Sequence, residues 1–497
     1  MTIRKNCSLR LIAAAALLTL ISHSCTRVNK SPYANDTTLE PRQAEAAGKL
    51  PRVIVMTDAE TDDRCSMVHF LLYSNDMQVD AIIQSNSCFQ RRGWSSEPWL
   101  EEQISAYEKV YPNLKVHDSS YPTPEYLRSV VFLGDEDPDH VGDVNARLLI
   151  PGADPVVEPS TWADTPGSDR IVEVLLEDDP RPVYLQAWGG SNTAARALYK
   201  LKTQYPDQYE RAAKKAILYC IWYQDGGGSY IERNFPEVTI LLNHHFSGSW
   251  DYGTMMNSDN FVSQYLQNGK NPLGALYTQP YISEGDSPSF LYSIDNGLRS
   301  YEDPTFGGWG GRFYKVDGYE NVYRDTGFGE LREWLETAMH DFQARLTWCI
   351  TPEREKGNHA PVITFPEGQD RTVHPGDTVT LKIGVEDNDL PDLEGIWKMR
   401  SGLFEQQGMT YAMFKERVAA DPSVVARFSG VTVSWYQYQS GTYPGSVDLI
   451  YRGGNSVSFV APEVDVPHTL HFIAEATDRG TPPLTSYARF IITVLPR

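Results

Sequence analysis

From Arg52 onward, short apolar runs alternate with amphipathic ones, and the alternation predicts a strand, a helix and a strand in RVIVMTD, CSMVHFLLYS and VDAIIQSN. The rhythm returns in PVYLQAW, NTAARALYKLKTQY and KKAILYCIWYQ. Apolar strands separated by helices predict an α/β domain with a mostly parallel sheet and right-handed crossovers. Leu331, Trp334, Leu335, Ala338, Met339, Phe342 and Leu346 fall on one stripe and predict the helix that closes this domain, residues 50–350. A polar, proline-bounded linker over residues 351–360 follows. Beyond it the period becomes two. Val379, Leu381, Ile383 and Val385 alternate with polar residues, and VTVSWYQY, SVSFVAP and ARFIITVLP predict an all-β sandwich over residues 361–497. TYAMFKERVAADPSVVARF breaks that period and reads as a helical insertion, while the adjacent Trp435 and Tyr436 must point to opposite faces of their strand.

The 497-residue length agrees with two folded domains behind an export segment. Arg4, Lys5 and Arg10 precede the apolar run Leu11 to Ile21, so residues 1–25 read as a signal peptide and residues 26–49 as a flexible tether. Cys25 sits where a lipoprotein cysteine would, but Ser22 stands three before it where an apolar residue is preferred; lipid anchoring and simple cleavage both stay open. The expected location is the periplasm, the outer membrane or the cell surface, with membrane contact only through a lipid. A formal charge of −21 would repel a phosphate backbone, which excludes nucleic acid as a partner. Cys65, Cys88, Cys220 and Cys349 lie in or beside apolar segments without paired spacing, so buried free thiols are expected rather than disulfides or a zinc site.

The chemistry concentrates in IVMTDAETDDRCSM, where a buried strand gives way to a helix. Asp58, Asp62 and Asp63 then share the turn at the carboxyl edge of the sheet, where open α/β sheets bind ligands. A helix cap accounts for one aspartate. Three carboxylates within six positions need a cation or a retained proton. Calcium, a hard ion that takes oxygen ligands, suits them.

These residues resemble the first-strand motif of the nucleoside hydrolases, D-x-D-x-x-x-D-D. Asp58, Asp62 and Asp63 match its last three acids, whereas Met56 replaces the first and Ala59-Glu60 replaces the usual Pro-Gly. Further segments match in order: Asn86 after the second strand, WGGSNTA, IERN and EGDSPSF. Together with RNFP and GGWGGR they are similar to the nucleoside-hydrolase-like family often labelled cellulose-binding, which carries a C-terminal immunoglobulin-like sandwich. VEDNDLPD and EATDRGTPPLTS resemble strand ends of immunoglobulin-like and cadherin-like modules.

The resemblance implies calcium held by Asp58, Asp63, Asp286 and a backbone carbonyl at Ala187 or Trp188, with Asp58 as general base toward water. It implies Asp62, Asn86, Glu232 and Asn234 as grips for sugar hydroxyls. Trp188, Trp222, Tyr223 and Trp309 are available to stack on a sugar or to pack. Gly285, not histidine, precedes Asp286, so no leaving-group acid is named. The expected activity is hydrolysis, with inversion, of an N- or O-glycosidic bond in a carbohydrate or nucleoside. The alternative is a non-catalytic cell-surface protein that binds polysaccharide on a degenerate site.

Overall fold

The computed structural model describes residues 50–153, 157–246, 260–387, 389, 393–420 and 430–497. The expected signal peptide and tether lie outside the described residues.

The first domain is built on an eight-stranded sheet. Its strands are β1 (Arg52–Thr57), β2 (Gln78–Gln84), β3 (Val131–Leu133), β4 (Val183–Ala187), β5 (Ala216–Ile221), β6 (Thr239–Asn243), β7 (Phe313–Lys315) and β8 (Val322–Asp325). The order is β3-β2-β1-β4-β5-β6-β8-β7, and every neighbouring pair is parallel except β7 with β8. The chain order reverses between β1 and β4, which makes their carboxyl ends the topological switch point and the natural place for a ligand.

The central strands are buried on both faces, which explains their largely apolar sequences. Val53 and Val55 of β1 point into one core with Phe70, Tyr107 and Trp188. Ile54 and Met56 point into the other with Ile171, Leu185 and Leu198. Each such side chain contributes about 1.5–3 kcal/mol. Arg52 pins the start of β1, its buried guanidinium donating to Asp80 at 2.7 Å and to Glu177 at 2.6 Å. Helices α1 (Thr61–Leu72), α2 (Trp99–His117), α3 (Pro166–Leu176), α4 (Asn192–Gln204), α5 (Gly227–Asn234) and α6 (Ser287–Ser293) cover the faces. The closing helix expected over Leu331–Leu346 is two: Phe328–Glu333, then α7 (Leu335–Trp348), with buried Trp334 at the joint.

The C-terminal domain packs a four-stranded sheet, which includes Thr432–Tyr438, His468–Thr477 and Thr485–Val494, against a three-stranded one built on Thr378–Lys382 and Ser456–Val460. Val379, Leu381, Trp435, Phe459, Phe472 and Phe490 form its core. Trp435 points inward, and half-buried Tyr436 packs toward the first domain. The insertion begins earlier than expected, as two helices, Leu393–Gln406 and Tyr411–Ala420, joined by a small core of Ile396, Phe404 and Phe414. The rest of the expected insertion, residues 421–428, lies outside the described residues.

The two domains share apolar core at their seam: Tyr438, Ile473, Leu484 and Tyr487 of the sandwich join the first domain's cluster. Buried Arg489 crosses that seam, donating to the carbonyls of Leu298 at 2.5 Å and Gly307 at 2.9 Å.

Candidate active site

At the end of β1, Thr57 and Asp58 lead into Ala59, which holds a left-handed φ of 62°. That turn costs a non-glycine residue about 1–3 kcal/mol. It swings the chain so that α1 begins at Thr61 and carries Asp62 and Asp63 in its first turn, where the helix dipole favours negative charge. The Thr57 hydroxyl donates to Asp63 Oδ1 at 2.5 Å, and the Asp58 N–H reaches the same oxygen at 3.2 Å. Asp286 joins from the start of α6. Its helix is tied to β4, because Ser289 Oγ donates to the Asp286 carbonyl at 2.7 Å and accepts from Trp188 Nε1 at 2.8 Å.

Oxygens of Asp62, Asp63 and Asp286 lie within 4.8 Å of one another. Ligands about 2.3–2.6 Å from one calcium ion stand at most about 5 Å apart, so the three fit a common ion. Asp58 Oδ2 and Asp286 Oδ2, both buried, meet no hydrogen-bond donor of regular geometry. Glycines make room for the carboxylates. A Cβ at Gly189 would stand 2.7 Å from Asp58 Cγ, and one at Gly285 would stand 2.6 Å from Asp62 Oδ2.

The electrostatics call for positive charge. Burial, then Asp63, Asp62 and Asp58, holds the Asp286 carboxyl well above its ordinary range. Burial, then Asp58 and Asp62, does the same to Asp63. Asp62 is pushed up to about 6 and Glu60 to about 8, each mainly by burial and next by Asp58. Burial also raises Asp58. A bound cation would offset both causes. Asp62, Asp63 and Asp286 therefore meet with Asp58 beside them, Asp62 standing in the trio where the resemblance implied Asp58, and Ala187, paired with Met56, ends β4 beside their turn. The neighbouring Trp188 carbonyl is engaged by the Gln224 side-chain amide.

The remaining sequence expectations need correction. Trp188 is fully buried, edge-on to Phe70 at 5.7 Å, and offers no face to a ligand. Trp309 is 4% exposed and packs toward Tyr487 of the sandwich, so its loop approaches the other domain rather than a sugar. Asn86 lies beside the cluster but is spent on bracing: Nδ2 donates to the carbonyls of Arg91 and Asp137, and Oδ1 accepts from Asn192. Glu232 accepts from the Gly152 N–H at 2.7 Å and the Tyr223 hydroxyl at 2.9 Å, so neither oxygen is left for a sugar. Asn234 ends α5, about 10 Å along the helix from its start near the sheet edge, and bonds the Tyr230 carbonyl.

Other groups at this edge escaped the sequence reading. Asp225, after β5, is fully buried and pushed up to about 6 by that burial. It accepts from the N–H groups of Asn192 and Gly227 and so ties the starts of α4 and α5 together. His245, after β6, hydrogen-bonds through Nδ1 to Asp325 at the end of β8, and Asp325 also accepts from the His244 N–H at 2.6 Å. The His245 side chain is 36% exposed. Phe246 beside it would touch a Cβ at Gly285 at 3.1 Å, which sets this corner against the acidic cluster. Polar residues directly after apolar strands, in QDGGG and NHH, were the available signal.

Residues 52–313 match the family described as cellulose-binding Sde182, nucleoside hydrolase-like domain, and residues 427–494 match the C-terminal domain of cellulose-binding protein Sde0182. A nucleoside hydrolase-related hypothetical protein from Saccharophagus degradans, associated with carbohydrate metabolism, is 26% identical. The match covers 90% of this chain and 100% of that one, with a TM-score of 0.71. The type III effector XopQ, solved with adenosine diphosphate ribose, is 10% identical over 63% of this chain and 100% of its own; its TM-score of 0.35 carries no argument. No curated protein matches the chain.

Proposed function

The chain belongs to the cellulose-binding, nucleoside hydrolase-like family, and on that premise we propose that it is an exported, calcium-dependent hydrolase of a glycosidic bond. The observation that carries the proposal is the approach of Asp62, Asp63 and Asp286 to within 4.8 Å, next to unpartnered oxygens of Asp58 and Asp286. The ion would be held by Asp63, Asp286 and Asp62 or Asp58, with the Ala187 carbonyl beside them. When bound, calcium supplies an acidified water and a grip on neighbouring sugar hydroxyls.

The residues of the chain do the rest. Asp58 takes a proton from the attacking water through Oδ2. The new carbon–oxygen bond forms at the anomeric carbon as the bond to the leaving atom breaks. His245, oriented through Nδ1 by Asp325, hands a proton from Nε2 to that leaving atom. Direct attack by water inverts the anomeric centre. The basic n-region and apolar run at the N-terminus support export.

Two measurements test this reading. Calorimetric titration should find calcium bound by the full chain and lost in a folded Asp63→Ala variant; undiminished binding there would remove the metal site. A panel of nucleosides and oligosaccharides should contain a substrate whose turnover in calcium falls by about 10²–10⁴ in Asp58→Asn. Retention of a glycan on an affinity gel without any cleavage would make the chain a binding protein instead.

A further inference from the structure

Building on the hydrolase reading of the Asp58 cluster, we propose that Trp222 is the platform of a second sugar subsite, so that the leaving group is itself a sugar and the substrate an O-glycoside. Trp222 follows β5 at the same edge as the acidic turn, and β5 stands two strands from β1 in the sheet. That separation is about 10 Å, the place of a neighbouring ring rather than of the ring held at the carboxylates. Phe246, next in sequence to His245, packs edge-on against Trp222 at 4.9 Å, while the His245 ring itself packs on Phe328.

Trp222 differs from the other tryptophans near the sheet edge. Trp188 and Trp309 are buried, whereas Trp222 is half-buried and held at a φ of 59°, its N–H fixed on the Asn243 carbonyl at 3.1 Å. A bulky residue in the left-handed region is an outlier that persists only where the surroundings impose it, and such strain gathers at binding sites. Phe89, 42% exposed, flanks the ring at 6.2 Å.

The angles between these rings select the ligand. Phe89 and Phe246 are inclined to Trp222 by 41° and 72°. Neither phenylalanine face runs parallel to the indole, so a flat base has no slot between either ring and Trp222. A pyranose needs one aromatic face for its C–H bonds and polar groups around its rim. The guanidinium of Arg147, an exposed residue, lies over the Trp222 ring at 5.8 Å from its centroid and supplies donors on that side, so a sugar ring would take the other face or displace it.

The test is binding to the full chain in calcium, by calorimetry, of a panel of α- and β-linked disaccharides, the methyl glycosides of their component sugars, and inosine. At least one disaccharide should bind more tightly than its methyl glycosides. Trp222→Gly should weaken that disaccharide tenfold or more while leaving the methyl glycosides unchanged, and Phe89→Ala should weaken it severalfold. Unchanged disaccharide affinity in both variants, a nucleoside preferred to every disaccharide, or no disaccharide bound better than its parts would overturn the proposal. Terbium luminescence at the acidic cluster separates the two failures: an ion site abolished by Asp63→Ala alongside a silent Trp222 sinks the subsite alone. No ion bound, with disaccharide affinity dependent on Trp222, sinks the calcium reading and leaves the subsite standing.

Discussion

With calcium chelated, Asp62→Asn should make the protein more stable at pH 7.5, although it removes a charge from a helix N-terminus. Burial, and then Asp58, pushes the Asp62 carboxyl from 3.8 up to about 6. Above pH 6 the charged group therefore costs the folded state about 3 kcal/mol at 1.36 kcal/mol per unit. Neighbouring acids share that cost, so replacing one of them should recover about 1–3 kcal/mol. The sign follows from linkage. A raised folded-state value means that the native form holds the proton more tightly, so the contribution is complete below about pH 4 and is lost as pH rises to about 6. Urea unfolding with a chelator at pH 4.5 and 7.5 should show wild type losing stability across that interval and the variant losing less. Saturating calcium should reverse the ranking, since ion at a hundred times its Kd contributes about 2.7 kcal/mol to wild type. An apo variant less stable than wild type at pH 7.5, with an unchanged pH slope, would refute the argument that Asp62 is held against its own repulsion.

Gly189→Ala should drive a methyl group into the Asp58 carboxylate, 2.7 Å away, and weaken calcium binding at least tenfold by calorimetry; Gly329→Ala, with nothing within 4 Å, should leave it unchanged. Arg489→Met should strand the carbonyls of Leu298 and Gly307 at the domain seam. It should cost about 3–5 kcal/mol and open the seam to limited proteolysis, while calcium affinity of the still-folded fraction stays the same. His245→Gln should slow turnover of a sugar leaving group by about 10²–10³ yet spare an activated nitrophenyl glycoside, whose departure needs no acid; equal losses on both would refute the acid role.

The α/β architecture was legible because the central strands are mostly apolar, as in RVIVMT, VYLQA and AILYCI, and polar or small residues follow within a few positions of the carboxyl edge. RVIVMT is buried at all six positions and VYLQA at all five, so little in the local pattern competes with a central strand. The closing helix was misjudged for a related reason. The stripe from Leu331 to Leu346 is continuous in hydrophobicity, but buried Trp334 sits at a break between two helices that periodicity does not register. The seam between domains was invisible to a strand-by-strand reading, because Tyr438 and Tyr487 look like ordinary sandwich positions and only their burial against Trp334 and Trp309 reveals a shared core.

At the site, what could be read was what lies within one turn of chain. Asp58, Asp62 and Asp63 are close because a strand end and a helix start leave them no alternative, whereas a partner from a distant segment depends on parity and helix phase. Trp188 illustrates the parity. Along β4, Tyr184 points to the α1 side while Val183, Leu185 and Ala187 point to the other; Trp188, four residues after Tyr184, continues into the same core instead of the cleft. Helix phase decides the IERN segment. Once α5 starts at Gly227, Asn234 is carried two turns away from the sheet edge, and Glu232 turns toward Tyr223 and Gly152. Side chains that face the cleft must therefore come from residues that reach the edge by strand ends and loops. Trp222, His245 and Arg147 are such residues. On the proposed reading their chemistry, an aromatic ring with an imidazole on a neighbouring segment and a guanidinium over it, suits a leaving group with hydroxyls around a ring.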